Sequence, residues 1–336
     1  MKVSVVIPTR NRQGSLSRTL AALARQTTPV DEILIIDASD TLCDVSSIAI
    51  PAAVRVEHIA SSASVCKQRN TGIAAARGDY VFLCDDDIEP PADYVETLSG
   101  YIASTNAVAA TGLCLQENAA GDWAYEYPIT SLRRLLWTYF FQLGVWGSIA
   151  GSAESRPLLG WVHRRIAADY RAKGNDLSRA GWPILTQFGS DIIRTRVYAL
   201  GATLIDRQVL LSNPFDEVLD PHGLGDNYGI AVTLPEKLHV LKATSFRHHL
   251  AVENRLAPEL AFYRRILALH YFLTLYSTRT ARLFLLWSLV GLSLASLFRS
   301  RTRLHATLKA IGLIVTGRNP YVRARLEGRK SVAPSL

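Results

Sequence analysis

Within the first 115 residues, short apolar runs alternate with amphipathic stretches, and this alternation sets the fold class. Residues 3–7 (Val-Ser-Val-Val-Ile) read as a buried strand. Residues 16–26 read as a helix, with Leu16, Leu20 and Leu23 on one face. Residues 33–36 and 54–59 read as two further buried strands, residues 64–77 as a second helix and residues 80–84 as a fourth strand. Strands alternating with helices imply βαβ units and a mostly parallel, doubly wound sheet of the α/β class. Such sheets bind ligands beyond the carboxyl ends of their strands. Polar clusters fall there: Thr9-Arg10-Asn11 after the first strand, Asp37-Ala38-Ser39-Asp40 after the second and Asp85-Asp86-Asp87 after the fourth.

The acidic triplet is the most informative of these. Adjacent carboxylates repel one another unless a cation or water answers them. In an extended segment alternate side chains share a face, so Asp85 and Asp87 point one way together. Hard carboxylate oxygens suit Mg²⁺ or Mn²⁺, particularly where substrate phosphates complete the shell. The net charge, 37 basic against 29 acidic residues or +8, suits phosphate-bearing ligands or an anionic membrane surface. Zinc-finger spacing and RNA-binding aromatic motifs are missing, so nucleic acid is not an expected partner. Cys43, Cys66, Cys84 and Cys114 form no CxxC pair and read as buried, reduced thiols. After Met1 and Lys2 the chain enters the first strand directly, which reads as a cytoplasmic catalytic domain without a signal peptide.

Ser4-Val5-Val6-Ile7-Pro8-Thr9-Arg10-Asn11 resembles the opening of family 2 glycosyltransferases of the GT-A fold. Arg69-Asn70-Thr71-Gly72-Ile73-Ala74-Ala75-Ala76-Arg77-Gly78, followed by Tyr80-Val81-Phe82-Leu83-Cys84-Asp85-Asp86-Asp87, resembles the second family signature and its DxD motif. The likeness is dense over residues 3–100 and sparse over 196–250. It implies a GT-A (Rossmann-like) sheet flanked by helices. It also implies that Pro8, Thr9 and Asn11 lie against the nucleotide and Asp37 near the base or ribose. Arg69, Asn70 and Asp85 would hold the donor, and Asp85 with Asp87 the metal. Many members carry a second acidic residue after the second strand that can read uracil. Ala38 stands there, which leaves UDP, dTDP and GDP donors open, as well as recognition of the base by backbone groups.

In inverting members a carboxylate takes the acceptor's proton, so it must lie close to the attacking hydroxyl. Gly201-Ala202-Thr203-Leu204-Ile205 and Phe215-Asp216-Glu217 resemble the family's acceptor-side block, whose acidic pair falls near Gly225-Asp226. The resemblance makes Asp226 the expected base and Asp220 its alternative, with Asp216 and Glu217 structural. Asp226 equally suits the cap of a helix beginning at Asn227, whose N–H groups would keep its pKa from rising. His248-His249 follow a strand expected at 238–241, where the resemblance implies a histidine touching metal or diphosphate. Neutral imidazole is a competent ligand for Mn²⁺. His248 is the expected ligand and His249 its alternative.

Residues 132–146 are rich in aromatics (Trp137, Tyr139, Phe140, Phe141 and Trp146) and read as a core helix, an acceptor-side wall or a membrane-dipping segment. Residues 258–276 read as an amphipathic helix. The stretch 283–298 has 16 residues without a charge, and as a helix it would span about 24 Å, short of a bilayer's roughly 30 Å core. Arg282 precedes it, Arg299, Arg301 and Arg303 follow, and residues 318–330 are strongly basic. An interfacial helix on anionic lipid fits this pattern, ahead of a buried core helix or a short span.

The expected organisation is a nucleotide-sugar-binding half (1–115), an acceptor-binding half of the same GT-A domain (116–255) and a C-terminal helical, basic, membrane-associating segment (256–336). The expected function is inverting transfer from a nucleotide-sugar to a lipid-linked or polysaccharide acceptor in cell-envelope glycan synthesis. Mn²⁺ or Mg²⁺ would be the cofactor and the inner membrane face the location. The alternatives are a nucleotidyltransferase, disfavoured because Pro8-Thr9-Arg10-Asn11-Arg12 contains no glycine, and a non-catalytic nucleotide-binding protein.

Overall fold

The computed structural model describes every residue except 47, 119, 151–156 and 298. In chain order the first elements are β1 (Val3–Thr9), α1 (Gln13–Ala24), β2 (Glu32–Asp37), β3 (Arg55–Ala60), α2 (Val65–Ala75), β4 (Tyr80–Cys84), β5 (Ile88–Glu89), α3 (Tyr94–Thr105), β6 (Ala109–Glu117) and β7 (Trp123–Ala124). Then come α4 (Leu132–Phe140), β8 (Val145–Trp146), α5 (Pro157–Lys173), β9 (Asp176–Leu177), β10 (Pro183–Leu185), β11 (Ile192–Thr195), β12 (Ala202–Asp206), α6 (Arg207–Ser212), α7 (Asp226–Thr233) and β13 (Leu238–His248). Four helices close the chain: α8 (Pro258–Tyr276), α9 (Arg279–Ser296), α10 (Arg301–Val315) and α11 (Pro320–Leu326).

The chain forms two compact units. The first takes Met1–Tyr125, Asp191–Arg194 and Tyr198–Arg255. Its main sheet runs β11-β13-β6-β12-β4-β1-β2-β3, with β5 beside β13 and β7 beside β6. The strands β3, β2, β1 and β4 are parallel, as the βαβ reading requires, and β6 and β13 are parallel to each other. Between these groups β12 is antiparallel to both its neighbours. Every residue of β1 and β2 is buried, because helices cover both faces of a parallel sheet. The expected third buried strand is half exposed instead: β3 is an edge strand, and Arg55 and Glu57 alternate along it with less polar neighbours.

The second unit takes Glu126–Ser190, Thr195–Val197 and Leu256–Leu336. One of its cores joins Leu132 and Leu135 of α4, Ile166 and Tyr170 of α5, and Val145 and Ile184 of the small β8-β10-β9 sheet. The aromatic stretch 132–146 is therefore not one helix: α4 stops at Phe140, Gln142 takes a positive φ of 54°, and Val145–Trp146 is a strand. Pro258–Tyr276 is a helix as expected, yet ten of its residues are buried, including Tyr263, Tyr271 and Phe272, so it is a core element. Residues 126–190 group with the C-terminal helices, and residues 198–255 with the N-terminal half. Among the described residues no helix is long and apolar enough to cross a membrane. Residues 283–296 of the charge-free stretch lie in α9, and Phe298, its last residue, lies outside the described residues.

Candidate active site

The three carboxylates after β4 lie not in an extended segment but in a turn before β5, and they meet different partners. Asp86 and Asp87 are equally buried, and Asp86 accepts bonds from Thr9 Oγ1 at 2.8 Å and Arg12 Nη1 at 2.9 Å. Burial raises its carboxyl to about 6 against the pull of Arg12 and Thr9. Asp85 and Asp87 meet His248, with one ligand atom from each of the three within 4.8 Å of the others. The histidine arrives through strand pairing, because β13 is antiparallel to β5 with His248 opposite Ile88, the residue after Asp87. Its Nε2 lies 3.1 Å from Asp87 Oδ1. The neighbouring His249 turns aside, with Nε2 3.0 Å from Glu89 Oε2 and its ring against Trp123.

Two carboxylates and an imidazole are a donor set that fits a divalent cation of the Mn²⁺ type. Electrostatics agree. Burial alone would lower His248, but its bond to Asp87 and the charge of Asp87 and Asp85 raise it to about 10. Burial alone would raise Asp87, but His248, the Ala251 N–H and Arg12 hold it well below the carboxylate range. These carboxylates demand positive charge. Room for Asp85 comes from Gly201, where a Cβ would overlap the carboxylate. The Gly201 carbonyl also accepts from Asp85 N at 2.8 Å.

Arg69 joins this set to Asp226. One guanidinium nitrogen lies 2.7 Å from Asp85 Oδ1 and another donates to Asp226 Oδ2. Asp226 is the first residue of α7, with Gly225 at the cap position, and its Oδ1 accepts from Asn227 N at 2.7 Å. Its pKa, expected not to rise, is raised: burial pushes the carboxyl up against the attraction of Arg69 and the bond from Asn227 N. Asp220 has a different task. It is 1% exposed and accepts from Ser64 Oγ, Cys66 N and Lys67 N, which fixes the start of α2.

The remaining expected residues hold loops together. Asp37 is fully buried and accepts from Ser39 N, Cys43 N and His58 Nε2, so it organises its own loop and offers no exposed oxygen to a ligand. Asn11 exchanges two bonds with Asp40, tying the loop after β1 to the loop after β2, and Pro8 and Thr9 are buried at the end of β1. Asn70 clasps the backbone of Phe215 in both directions at 2.9 Å. Sequence reasoning missed two arginines. Arg12 pairs with Asp86 and lies 4.0 Å from Asp87, and Arg255 Nη2 lies 3.1 Å from Asp87 Oδ2. Arg12 stands beside the first motif and was legible as a cation at a strand end. Arg255 has no local signal.

Residues 4–150 match the family described as Glycosyl transferase family 2. That match covers somewhat under half of the chain. A Bacillus subtilis protein described as the uncharacterized glycosyltransferase YwdF is 34% identical over 105 residues, covering 29% of this chain and 39% of YwdF. The glycosyltransferase GlyA of Streptococcus pneumoniae is 31% identical over 116 residues, covering 33% of this chain and 16% of GlyA. The match thus spans less than half of either relative's length. Two solved structures share the fold. S. aureus TarS 1–349 in complex with UDP-GlcNAc has a TM-score of 0.51 at 12% identity, covering 98% of this chain and 93% of that one. GalNAc-T7 with UDP, GalNAc and Mn²⁺ has a TM-score of 0.52 at 15% identity, covering 96% of this chain and 58% of that one. The chain therefore shares the GT-A fold, with a central, mostly parallel sheet flanked by helices.

Proposed function

We propose that the protein is an inverting glycosyltransferase that moves a sugar from a nucleotide-sugar to an acceptor hydroxyl. The acceptor is lipid-linked or a polysaccharide, in cell-envelope glycan synthesis, presented at the cytoplasmic membrane face. The observation that carries this reading is the convergence of Asp85, Asp87 and His248 within 4.8 Å beside β4 of a family 2 domain. Support comes from the solved relatives, one with UDP-GlcNAc and one with UDP and Mn²⁺.

Asp85, Asp87 and His248 would hold Mn²⁺ or Mg²⁺, and the imidazole favours Mn²⁺. The cation supplies neutralisation of charge on the departing diphosphate. Arg12 and Arg255, both beside Asp87, add positive charge at the same place. Asp226 takes the proton of the acceptor hydroxyl as its oxygen bonds to the anomeric carbon. The bond from that carbon to the diphosphate oxygen breaks, and its electron pair leaves with the nucleoside diphosphate. Burial makes Asp226 a stronger base than an ordinary carboxylate, while Arg69 keeps it ionised and oriented.

The test is a panel of UDP-, GDP- and dTDP-sugars with Mn²⁺, read as nucleoside diphosphate release and as thermal stabilisation. One donor should be turned over, and EDTA should stop it. Full turnover in EDTA contradicts the metal-dependent reading. Pyrophosphate release from a nucleoside triphosphate would make the protein a nucleotidyltransferase. Binding without turnover of any donor would make it a non-catalytic nucleotide-binding protein.

A further inference from the structure

Helix α9 of the helical unit has two unlike sides. Leu285, Ser288 and Leu289 are buried, and Ser288 Oγ accepts from Trp182 Nε1 at 2.9 Å. Gly291 lies so close to Phe141 that a Cβ there would overlap the ring. The other side carries Leu283, Trp287, Val290, Leu294 and Leu297, exposed by 67, 39, 40, 44 and 47%. Alternating steps of four and three residues keep these side chains in one line, about 21 Å long at the helical rise. Trp287 extends the line onto α4: its Nε1 donates to the Phe140 carbonyl at 2.8 Å, and its ring centroid is 5.2 Å from that of Phe140, which is 61% exposed. A contiguous apolar surface of this kind marks an interaction site.

Charge identifies the occupant. The helical unit holds 22 basic and six acidic residues, a net +16, whereas the first unit holds 15 basic and 23 acidic residues, a net −8. Arg279 and Arg282 stand before the apolar line, and Arg299, Arg301 and Arg303 after it. Among the described residues no helix suits a span, so the apolar line has to be met from outside. A second copy of the chain would bring two units of net +16 together, which like-charge repulsion opposes.

We propose that the α9–α4 face docks on an anionic lipid bilayer, with α9 lying along the interface. Leu283, Val290 and Leu294 enter the acyl boundary, and Trp287 sits at headgroup depth. The flanking arginines reach lipid phosphates while their stems stay on apolar surface. This deepens the membrane-face placement above and is independent of the transfer chemistry.

The full chain is floated with phosphatidylcholine vesicles and with vesicles containing about one-third phosphatidylglycerol. Binding to the anionic vesicles should exceed binding to the neutral ones about tenfold or more and weaken with salt. Leu283→Gln with Leu294→Gln should cut anionic binding about tenfold, with the circular dichroism spectrum and donor turnover in solution unchanged. Brominated lipid should quench wild-type tryptophan fluorescence, a readout that needs no variant. The proposal is overturned by wild type that ignores anionic vesicles, by a folded double variant that binds them normally, or by bound protein that brominated lipid leaves unquenched. A concentration-dependent dimer that the same substitutions dissolve also overturns it, because the occupant is then a second copy. Normal vesicle binding without turnover of any donor supports this surface and counts against the transfer reading.

Discussion

In the first unit, carboxylates after β4 and at the start of α7 are each met by a specific group: Asp86 by Arg12, Asp87 by His248 and Arg255, Asp226 by Arg69. In the helical unit the excess charge is basic and spread along helix ends and the tail, next to exposed leucines. The chain's +8 conceals this division. A net positive balance suggests a general attraction for phosphate, yet the unit that holds Asp85, Asp87 and His248 is net acidic. On the proposed reading, diphosphate charge would be met there by a cation and a few placed arginines. The broad positive field belongs to the unit with the apolar stripe.

The strongest way to break this comparison is to remove the proposed base. Asp226→Asn should slow transfer by about 10²–10⁴-fold, the usual range for a general base. Donor affinity and vesicle binding should stay near wild type. Asp220→Asn should leave the chemistry largely intact and cost about 1–3 kcal/mol of stability, since it weakens bonds at the start of α2. Steady-state kinetics and denaturant melts separate the two. Near-normal transfer in Asp226→Asn would remove the assignment.

Gly201→Ala tests the crowding around Asp85. A methyl there must displace the carboxylate and disturb its pair with Arg69. Titration calorimetry should show Mn²⁺ affinity down by about 10–100-fold, the usual cost of disturbing a ligand's support. Unchanged affinity would mean that Asp85 is not a ligand.

The smallest effect sharpens the other side. His270 of α8 is buried and its Nδ1 lies 2.9 Å from Asn319 Nδ2, a bond only the neutral ring can accept. Burial, helped by Arg282, lowers it from the ordinary value of 6.5 to about 4. Between those values the unfolded chain binds the extra proton, so stability is full above 6.5 and falls as pH drops towards 4. The loss should reach at most roughly 3 kcal/mol. Five of the six tryptophans lie in this unit, so their fluorescence reports its melting. His270→Gln should flatten the acid slope, and an unchanged slope would place it elsewhere.

Legibility in the sequence followed from how local each signal was. Tyr80–Cys84 and Pro258–Tyr276 were bounded correctly because a polar cluster or a proline marks their ends. The strand expected at 238–241 runs on to His248, because an irregularity between Leu241 and Ser245 breaks the alternation that would have shown it. The aromatic run 132–146 hid a turn at Gln142, since bulky residues fit helix and strand alike. At the site, Asp85 and Asp87 were legible from type and position, and His248 only through the family resemblance. The partners of Asp37, Asn70 and Asp220 were not, because each bonds to backbone or side chains that only the folded loops bring near. The same holds for Arg255, whose partner Asp87 is far away in the chain.

On the proposed reading, Asp85, Asp87 and His248 form one cation site in the acidic unit. Pulsed electron paramagnetic resonance of Mn²⁺ bound to the full chain tests it directly, because a coordinated imidazole nitrogen modulates the echo. One Mn²⁺ per chain with nitrogen modulation is expected, and His248→Gln should abolish the modulation while His249→Gln retains it. Mn²⁺ bound without nitrogen modulation, or modulation that survives in His248→Gln, would contradict the account.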